Sequence, residues 1–278
     1  MLIALNCIQE PQPGPKWQAV FERTWPLYKT WYLKEGVLAR SGYLTCYSKL
    51  EQHMPELLPV YEQLCALAGG SDLVSRYLTL YNPPAYMSGC TQAAWSEGTP
   101  VLVRNYDYKP SWFEGVLLHT NWLQPVIGVS DCNWGLLDGM NASGLSVSLT
   151  FGGRKVSGEG FGIPLVLRYI LETCTDVEQA AQALFRIPVH MAYNVSLLDR
   201  TGNYKTVFVG PDRSPALADT RVCTNHQEAI DWPEYAQATG TLEREATLKA
   251  FLEEPGITPV RLLNKFLLPP IYNQRFDQ

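Results

Sequence analysis

Residues 88–107 have the sequence SGCTQAAWSEGTPVLVRNYD and predict a β-hairpin. Cys90 begins the first strand, and the Glu97-Gly98 turn then reverses the chain. The second strand is predicted over residues 100–108, where apolar and polar side chains alternate. A cysteine at the start of one strand therefore faces the end of the next.

This pairing would return Arg104 and Asp107 to the neighbourhood of Cys90. Because the two residues are three positions apart, a regular strand would point them to opposite faces. A bulge or the strand end would be needed to bring both toward the cysteine. A guanidinium beside a cysteine favours the thiolate, which is the reactive form. From spacing alone, a buried cysteine with an ordinary surface Arg–Asp pair is the alternative interpretation.

The chain changes character at this hairpin. Before it, apolar residues recur at helical spacing until Asn82-Pro-Pro-Ala85 interrupts the pattern. After it, short alternating segments predict strands, with two helices among them and two at the end. The helices are predicted over residues 16–35, 56–67, 72–80, 163–173, 177–185, 242–252 and 258–267, and the further strands over 116–121, 125–129, 134–138, 145–151, 192–198, 204–209 and 221–224. This order predicts an α+β domain in which helices cover stacked sheets.

Composition excludes several classes of protein. Of the 278 residues, 46% are hydrophobic and 18% are charged, so the chain can bury a large core and is not intrinsically disordered. The net charge of −5 does not suit a general nucleic-acid binder. Apolar runs are too short to span a bilayer, and the N-terminus lacks the features of a secretory signal. We therefore expect no nucleic-acid partner, no membrane span and a cytoplasmic location.

Cofactor and metal motifs are also missing from the sequence. The seven cysteines are scattered without a C-x-x-C pair, which fits a reducing compartment, and the four histidines lie far apart. Gly158–Gly162 has G-x-G-x-G spacing rather than that of a dinucleotide-binding loop. We expect neither a cofactor nor a metal ion.

Four segments, taken in order, resemble the catalytic chain of the linear-amide branch of the N-terminal nucleophile (Ntn) hydrolases. They are Gly89-Cys90-Thr91 with Arg104-Asn-Tyr-Asp107, Asp138-Gly-Met-Asn-Ala-Ser-Gly-Leu145 with Ser148-Leu-Thr-Phe151, Cys223-Thr-Asn-His226, and Thr241-Leu-Glu-Arg244. This branch includes choloylglycine hydrolases, acid ceramidase-like amidases and acyl-coenzyme A:6-aminopenicillanic acid acyltransferases. The matches extend over more than half of the chain.

The resemblance implies a four-layer αββα sandwich and a precursor that cleaves itself between Gly89 and Cys90. Cleavage would separate a helical propeptide, residues 1–89, from a catalytic fragment, residues 90–278. The change of pattern near Pro83 agrees with that boundary. Family members end in a β-hairpin after the last helix, whereas this sequence stops at residues 271–278. Either the sequence is truncated, or one edge of the sandwich is left short. A short edge would expose unpaired strand groups and favour a homo-oligomer.

The resemblance also implies roles for individual residues. Cys90 would be the nucleophile, and its own α-amine would accept the thiol proton, so that no histidine or metal is needed. Arg104 would stabilise the thiolate, and Asp107 would orient the amine. Asn225 would donate its side-chain amide to the oxyanion, and Arg244 would hold Asp107 in place.

Two further positions are expected to shape the site. A backbone N–H near Thr150 would be a second oxyanion donor, although the choloylglycine branch usually has Asn there, which argues against a bile-salt substrate. Asn141 is expected to form a turn beside the site, with direct participation as the alternative. Four aromatic residues either line an acyl pocket or fill the core: Trp112, Phe113, Trp122 and Trp134.

The implied function is that of a self-processing N-terminal-cysteine amidohydrolase or acyltransferase. Its substrate would be a small linear N-acyl amide or an acyl thioester such as an acyl-coenzyme A. The choice between hydrolysis and transfer stays open, as do the acyl group and the acceptor. The alternative is a non-catalytic relative that binds an acylated metabolite or a partner.

Overall fold

The computed structural model describes residues 4–86, 89–107 and 113–272. Its strands are β1 (Asn6–Gln9), β2 (Gly89–Trp95), β3 (Val101–Asp107), β4 (Val116–Asn121), β5 (Pro125–Asp131), β6 (Gly135–Asn141), β7 (Ser146–Phe151), β8 (Tyr193–Leu198), β9 (Tyr204–Val209), β10 (Ala216–Ala218) and β11 (Val222–Cys223). Its α-helices are α1 (Pro15–Tyr32), α2 (Tyr43–His53), α3 (Leu58–Leu67), α4 (Asp72–Leu78), α5 (Ile163–Thr173), α6 (Val177–Arg186), α7 (Pro233–Thr239), α8 (Thr241–Leu252) and α9 (Pro259–Lys265).

The segment before the hairpin is helical, as its pattern predicts. Helix α1 begins at Pro15, whose fixed φ suits the first helical position. Helix α4 begins after Ser71, whose hydroxyl accepts the Val74 N–H. An aromatic contact joins the two helices, because the ring centroids of Trp25 in α1 and Tyr77 in α4 lie 5.0 Å apart. Two elements of this segment, β1 and α2, were not expected from the sequence.

The described strands form two sheets. The larger sheet has eight strands in the order β1-β4-β5-β6-β7-β8-β9-β10, and all of these neighbours are antiparallel except β1 and β4. The smaller sheet has three antiparallel strands in the order β11-β2-β3. The hairpin of β2 and β3 is therefore the larger part of the smaller sheet.

The two sheets pack face to face, with helices outside. Helices α5 and α6 lie against the larger sheet, while β2 and β3 of the smaller sheet pack against β7. Helices α8 and α9 cover the other face of the smaller sheet, where Leu248 and Leu262 are buried with Val103 and Val222. The order helix, sheet, sheet, helix is the four-layer αββα sandwich, so the expected fold class is confirmed.

Candidate active site

The register of the hairpin decides which side chains meet Cys90. Strands β2 and β3 pair continuously, with Cys90 opposite Tyr106 and Gly89 opposite Asp107. Arg104 therefore shares a face with Cys90, and Asp107 projects from the other face. Strands β2 and β3 pair without a bulge that would turn Asp107 toward the face of Cys90. Asp107 is instead connected to the site by its ion pair with Arg244 of α8.

The buried, positively charged guanidinium of Arg104 lies beside the sulfur of Cys90. Its Nη2 lies 3.1 Å from Cys90 Sγ, and its Nη1 donates to Asp138 Oδ2 at 2.7 Å. The Tyr106 ring packs on the guanidinium, with 4.5 Å between the ring centroid and Cζ. Burial disfavours the cation, but the Cys90 sulfur and the Asp138 carboxylate outweigh burial and raise the pKa of Arg104 above its usual value. Arg104 thus stays charged, and its charge favours the thiolate.

Arg244 and Asn225 hold the backbone of Cys90. The Cys90 N–H donates to Asn225 Oδ1 at 3.1 Å, and Arg244 Nη1 donates to the Cys90 carbonyl at 3.0 Å. Arg244 also bonds Asn225 Oδ1 at 2.8 Å and Asp107 Oδ2 at 3.3 Å. Since both groups that reach Asn225 Oδ1 are donors, this atom is the amide oxygen. The four residues form one buried, charge-assisted network.

Gly89 is required by the closeness of Asp107. A Cβ at position 89 would lie 3.0 Å from the Asp107 Cβ and 3.1 Å from its Oδ2. A larger residue would require the Asp107 side chain to shift by a few tenths of an ångström. The register therefore sets Asp107 directly against the residue that precedes Cys90.

The side chains of Thr150 and Asn141 form hydrogen bonds that hold neighbouring segments of the chain. The buried Thr150 hydroxyl donates to the Thr224 carbonyl at 2.9 Å and accepts from Asn194 Nδ2 at 3.0 Å, so it holds the segment that ends in Asn225. Asn141 accepts two N–H groups of the turn that follows it and donates to two carbonyls at the end of α5. Neither side chain touches Cys90 in these contacts, and their roles in the reaction stay predictions.

A cavity of about 810 Å³ has none of the candidate catalytic residues in its lining and is linked to their network through Phe151. Helix α1 forms one wall with Tyr28 and Trp31, and Tyr86, Phe151 and Trp232 form others. The Phe151 carbonyl accepts from Nδ2 of Asn225 at 3.3 Å, which links the cavity wall to the residue that holds Cys90. The volume is that of a site for a small-molecule ligand.

The rings expected in an acyl pocket are placed differently. Trp122 and Trp134 are buried against each other in the core, with 6.3 Å between their centroids, and Phe113 packs on Tyr106. These three rings are not among those lining the cavity. Trp112 lies outside the described residues. For Trp122 and Trp134 the structure therefore favours the core over an acyl pocket, a choice that aromatic composition alone left open.

Sequence reasoning gave no role to two neighbours of the site. Asp138 pairs with Arg104, and its position in the Asp138–Leu145 segment was the available signal. Burial raises the pKa of the Tyr235 hydroxyl most, and Cys90 raises it further, whereas Arg244 lowers it. Tyr235 therefore interacts electrostatically with the site. No motif marks Tyr235, which enters through the folding of α7.

Other kinds of site find little support in the part of the chain that the structure describes. There, no three His, Cys, Asp or Glu side chains come together in a way that could hold a metal ion. No helix among the same residues has the length and hydropathy needed to cross a bilayer.

Several solved structures align with the chain at low identity. A mutant conjugated bile acid hydrolase from Clostridium perfringens is 16% identical with a TM-score of 0.39, over 55% of this chain and 57% of its own. Penicillin V acylase from Agrobacterium tumefaciens is 16% identical with a TM-score of 0.32, over 55% and 48%. A Caenorhabditis elegans ortholog of N-acylethanolamine-hydrolyzing acid amidase is 16% identical with a TM-score of 0.48, over 66% and 88%. The chain thus spans about half the length of the first two, and no curated protein sequence matches it.

A family model gives a clearer result. Residues 95–256 match the model described as acyl-coenzyme A:6-aminopenicillanic acid acyl-transferase. The match begins after Cys90 and includes Arg104, Asp107, Asn225 and Arg244, and it covers more than half of the chain. The chain therefore belongs to the acyl-coenzyme A:6-aminopenicillanic acid acyl-transferase family, within the Ntn hydrolases.

Proposed function

We propose that the chain is a self-processing N-terminal-cysteine amidohydrolase or acyltransferase. Its substrate would be a small linear N-acyl amide or an acyl thioester. The observation that carries this proposal is the position of Arg104, whose guanidinium lies 3.1 Å from Cys90 Sγ in a buried network. A cation in this position favours the thiolate, which is the reactive form of cysteine.

Self-cleavage would use the contacts that hold the Gly89–Cys90 bond. The sulfur of Cys90 attacks the carbonyl carbon of Gly89, and the C–N bond breaks as the nitrogen of Cys90 takes up a proton and becomes an amine. Water then hydrolyses the resulting thioester, which leaves a carboxylate on Gly89 and restores the thiol. The bonds from Asn225 and Arg244 to the Cys90 backbone support this step, because they fix the bond beside the nucleophile.

Turnover would follow the same chemistry with an external carbonyl. The new α-amine accepts the thiol proton, and Asp107 and Asn225 orient the amine. The sulfur attacks the substrate carbonyl and expels the amine or thiol, which leaves with the proton. Water or an amine acceptor then resolves the acyl-enzyme. Nδ2 of Asn225 donates to the carbonyl of Phe151, a residue that lines the cavity, and this nearness supports its role as the oxyanion donor.

The cavity supports an apolar acyl group as part of the substrate. Its walls are rich in aromatic rings, and Lys155 at its edge lies 4.0 Å from the centroid of the Trp232 ring. Such a lining accepts an acyl chain by apolar burial. An acyl-coenzyme A donor agrees with the family to which the chain belongs.

The test is incubation of the protein with a panel of N-acyl amines and acyl thioesters, with Cys90→Ala as the control. We expect product release from the wild type and an acyl adduct on Cys90, both lost in the variant. If both proteins bind a panel member equally and neither turns it over, the chain is a non-catalytic binder and the proposal fails.

A further inference from the structure

A second cluster of titratable groups lies where α1 meets the catalytic sheets. The hydroxyl of Tyr28 on α1 is 2.9 Å from Glu114 Oε2 and 2.9 Å from Asp131 Oδ1. The Cys132 N–H also donates to the Tyr28 oxygen, at 2.8 Å. Both carboxyl groups are buried, and Tyr28 and Asp131 line the cavity.

The contacts of the Tyr28 hydroxyl with both acids can be hydrogen bonds only if one of the two carboxyl groups is protonated. A phenol has one hydrogen to donate and two lone pairs. The hydroxyl can donate to only one carboxylate, so the other contact is a hydrogen bond only if that carboxyl carries a proton. Within the described residues, no lysine or arginine donates to a carboxyl oxygen of either acid, and the nearest such bond, from Arg23, ends at the Glu114 backbone carbonyl.

The remaining donors indicate which acid holds the proton. Glu114 accepts from the Ser130 hydroxyl at 2.9 Å and from the Asn133 N–H at 3.0 Å, and these donors stabilise its anion. Asp131 accepts only the Cys132 N–H besides Tyr28, among the hydrogen bonds of the described residues. Asp131 is therefore the protonated partner and Glu114 the ionised one.

We propose that Asp131 and Glu114 share a single proton across the Tyr28 hydroxyl, and that this proton fastens α1, one wall of the cavity, to the catalytic part of the chain. Tyr28 thus acts as a positioning residue for the cavity. That the cavity holds an acyl group rests on the proposed function, whereas the shared proton does not.

The surroundings of the pair agree with a proton held up to neutral pH. Burial, and then the charge of Glu114, raise the pKa of Asp131 to about 7, and burial raises that of Glu114. Arg104 opposes the rise for Asp131, and Arg23 opposes it for Glu114. The other titratable groups that face the cluster are Tyr77 from α4, Tyr193 from β8, and Tyr86 and Cys132.

The sign of the pH dependence follows from linkage. An unfolded aspartate titrates near pH 3.9, so between about pH 4 and 7 folding takes up a proton at Asp131. The stability that this group provides is complete below about pH 4 and is lost as the pH rises through about 7. Asn at position 131 presents an N–H to the Tyr28 oxygen at every pH and removes the dependence.

The test compares the full chain carrying Cys90→Ala with the same chain carrying Asp131→Asn as well. The Cys90→Ala background prevents processing, so the result does not depend on the proposed function. Between pH 5 and 7, we expect the unfolding equilibrium constant of the parent to rise by up to about tenfold per pH unit relative to the Asp131→Asn chain. Above pH 7, trypsin should cut after Lys29 of α1, and after Lys34 just beyond its end, faster in the parent than in that variant.

Two further variants keep the test decisive. Asp199→Asn is the matched control, since the pKa of Asp199 is lowered and its removal should leave the slope above pH 5 unchanged. Glu114→Gln replaces Asp131→Asn if the latter fails to fold, and it should flatten the same slope. Parallel unfolding curves for parent and variant, or equal trypsin rates, would overturn the proposal.

Discussion

At the level of single residues, the proposed reaction depends on the positive charge of Arg104 beside the Cys90 sulfur. The guanidinium is buried, is neutralised by Asp138 and lies within hydrogen-bond distance of the sulfur. A charge-assisted hydrogen bond of this kind is worth about 1.5–3 kcal/mol. The position of Arg104 therefore supports the proposed reaction of Cys90 as a thiolate.

Arg104→Met should slow self-cleavage at pH 7 by at least about tenfold, because the thiolate loses its charge-assisted hydrogen bond. Raising the pH should restore part of the rate, since hydroxide then removes the thiol proton. Arg104→Lys keeps a cation and should lose less. The measurement is the half-life of the intact chain from pH 6 to 10. An equal loss of rate at every pH would mean that Arg104 acts on structure rather than on the thiolate.

At the level of elements, the β2–β3 hairpin positions the Gly89–Cys90 bond, at which we propose cleavage. Its register places Gly89 opposite Asp107 and Cys90 opposite Tyr106. Arg244 reaches across from α8 and bonds Asp107 and the Cys90 carbonyl together. A shift of the hairpin by a fraction of an ångström would separate these partners.

Gly89→Ala tests this alignment. The added Cβ would press on Asp107 at about 3.0 Å, and we expect self-cleavage to slow by roughly ten- to hundredfold. Gly42→Ala is the matched control, because its Cβ would meet no atom within 4 Å. The measurement is the fraction of intact chain against time. Cleavage of Gly89→Ala at the wild-type rate would show that Asp107 does not position the bond.

Local elements could be predicted from the sequence, and distant contacts could not. The hairpin followed from contiguous alternation and a Glu-Gly turn, and most helix bounds agree within a few residues. Asn225 and Arg244 lie 135 and 154 residues from Cys90, so only the resemblance to a family brought them to the site. Strand β1 was missed because its four residues are mostly exposed and show no alternation.

The cavity was harder to predict for another reason. The helical pattern of α1 shows that it buries a face but not which partner covers that face. Glu114 and Asp131 stand in no motif, and Tyr28 reaches them only through the packing of α1 on the sheet. Burial and the count of available protons, rather than residue spacing, define this cluster.

At the level of the whole molecule, the sandwich assembles the site from parts that are far apart in the chain. The smaller sheet supplies Cys90 and Arg104, the larger sheet supplies Asp138, and α8 supplies Arg244. The N-terminal segment supplies a wall of the cavity through α1. We infer that residues 1–89 stay bound after the proposed cleavage, because Trp17 and Tyr77 donate hydrogen bonds to Asn133 and are buried in the same core cluster as the sandwich.

The central claim is that Cys90 becomes an N-terminal nucleophile by cutting the chain before itself. Intact-mass measurement of the purified protein, with amino-terminal sequencing, tests it most directly. We expect two co-purifying fragments, the second beginning at Cys90, and a single uncut chain for Cys90→Ala. A wild-type protein that stays in one piece, with Cys90 inert toward thiol reagents, would contradict it.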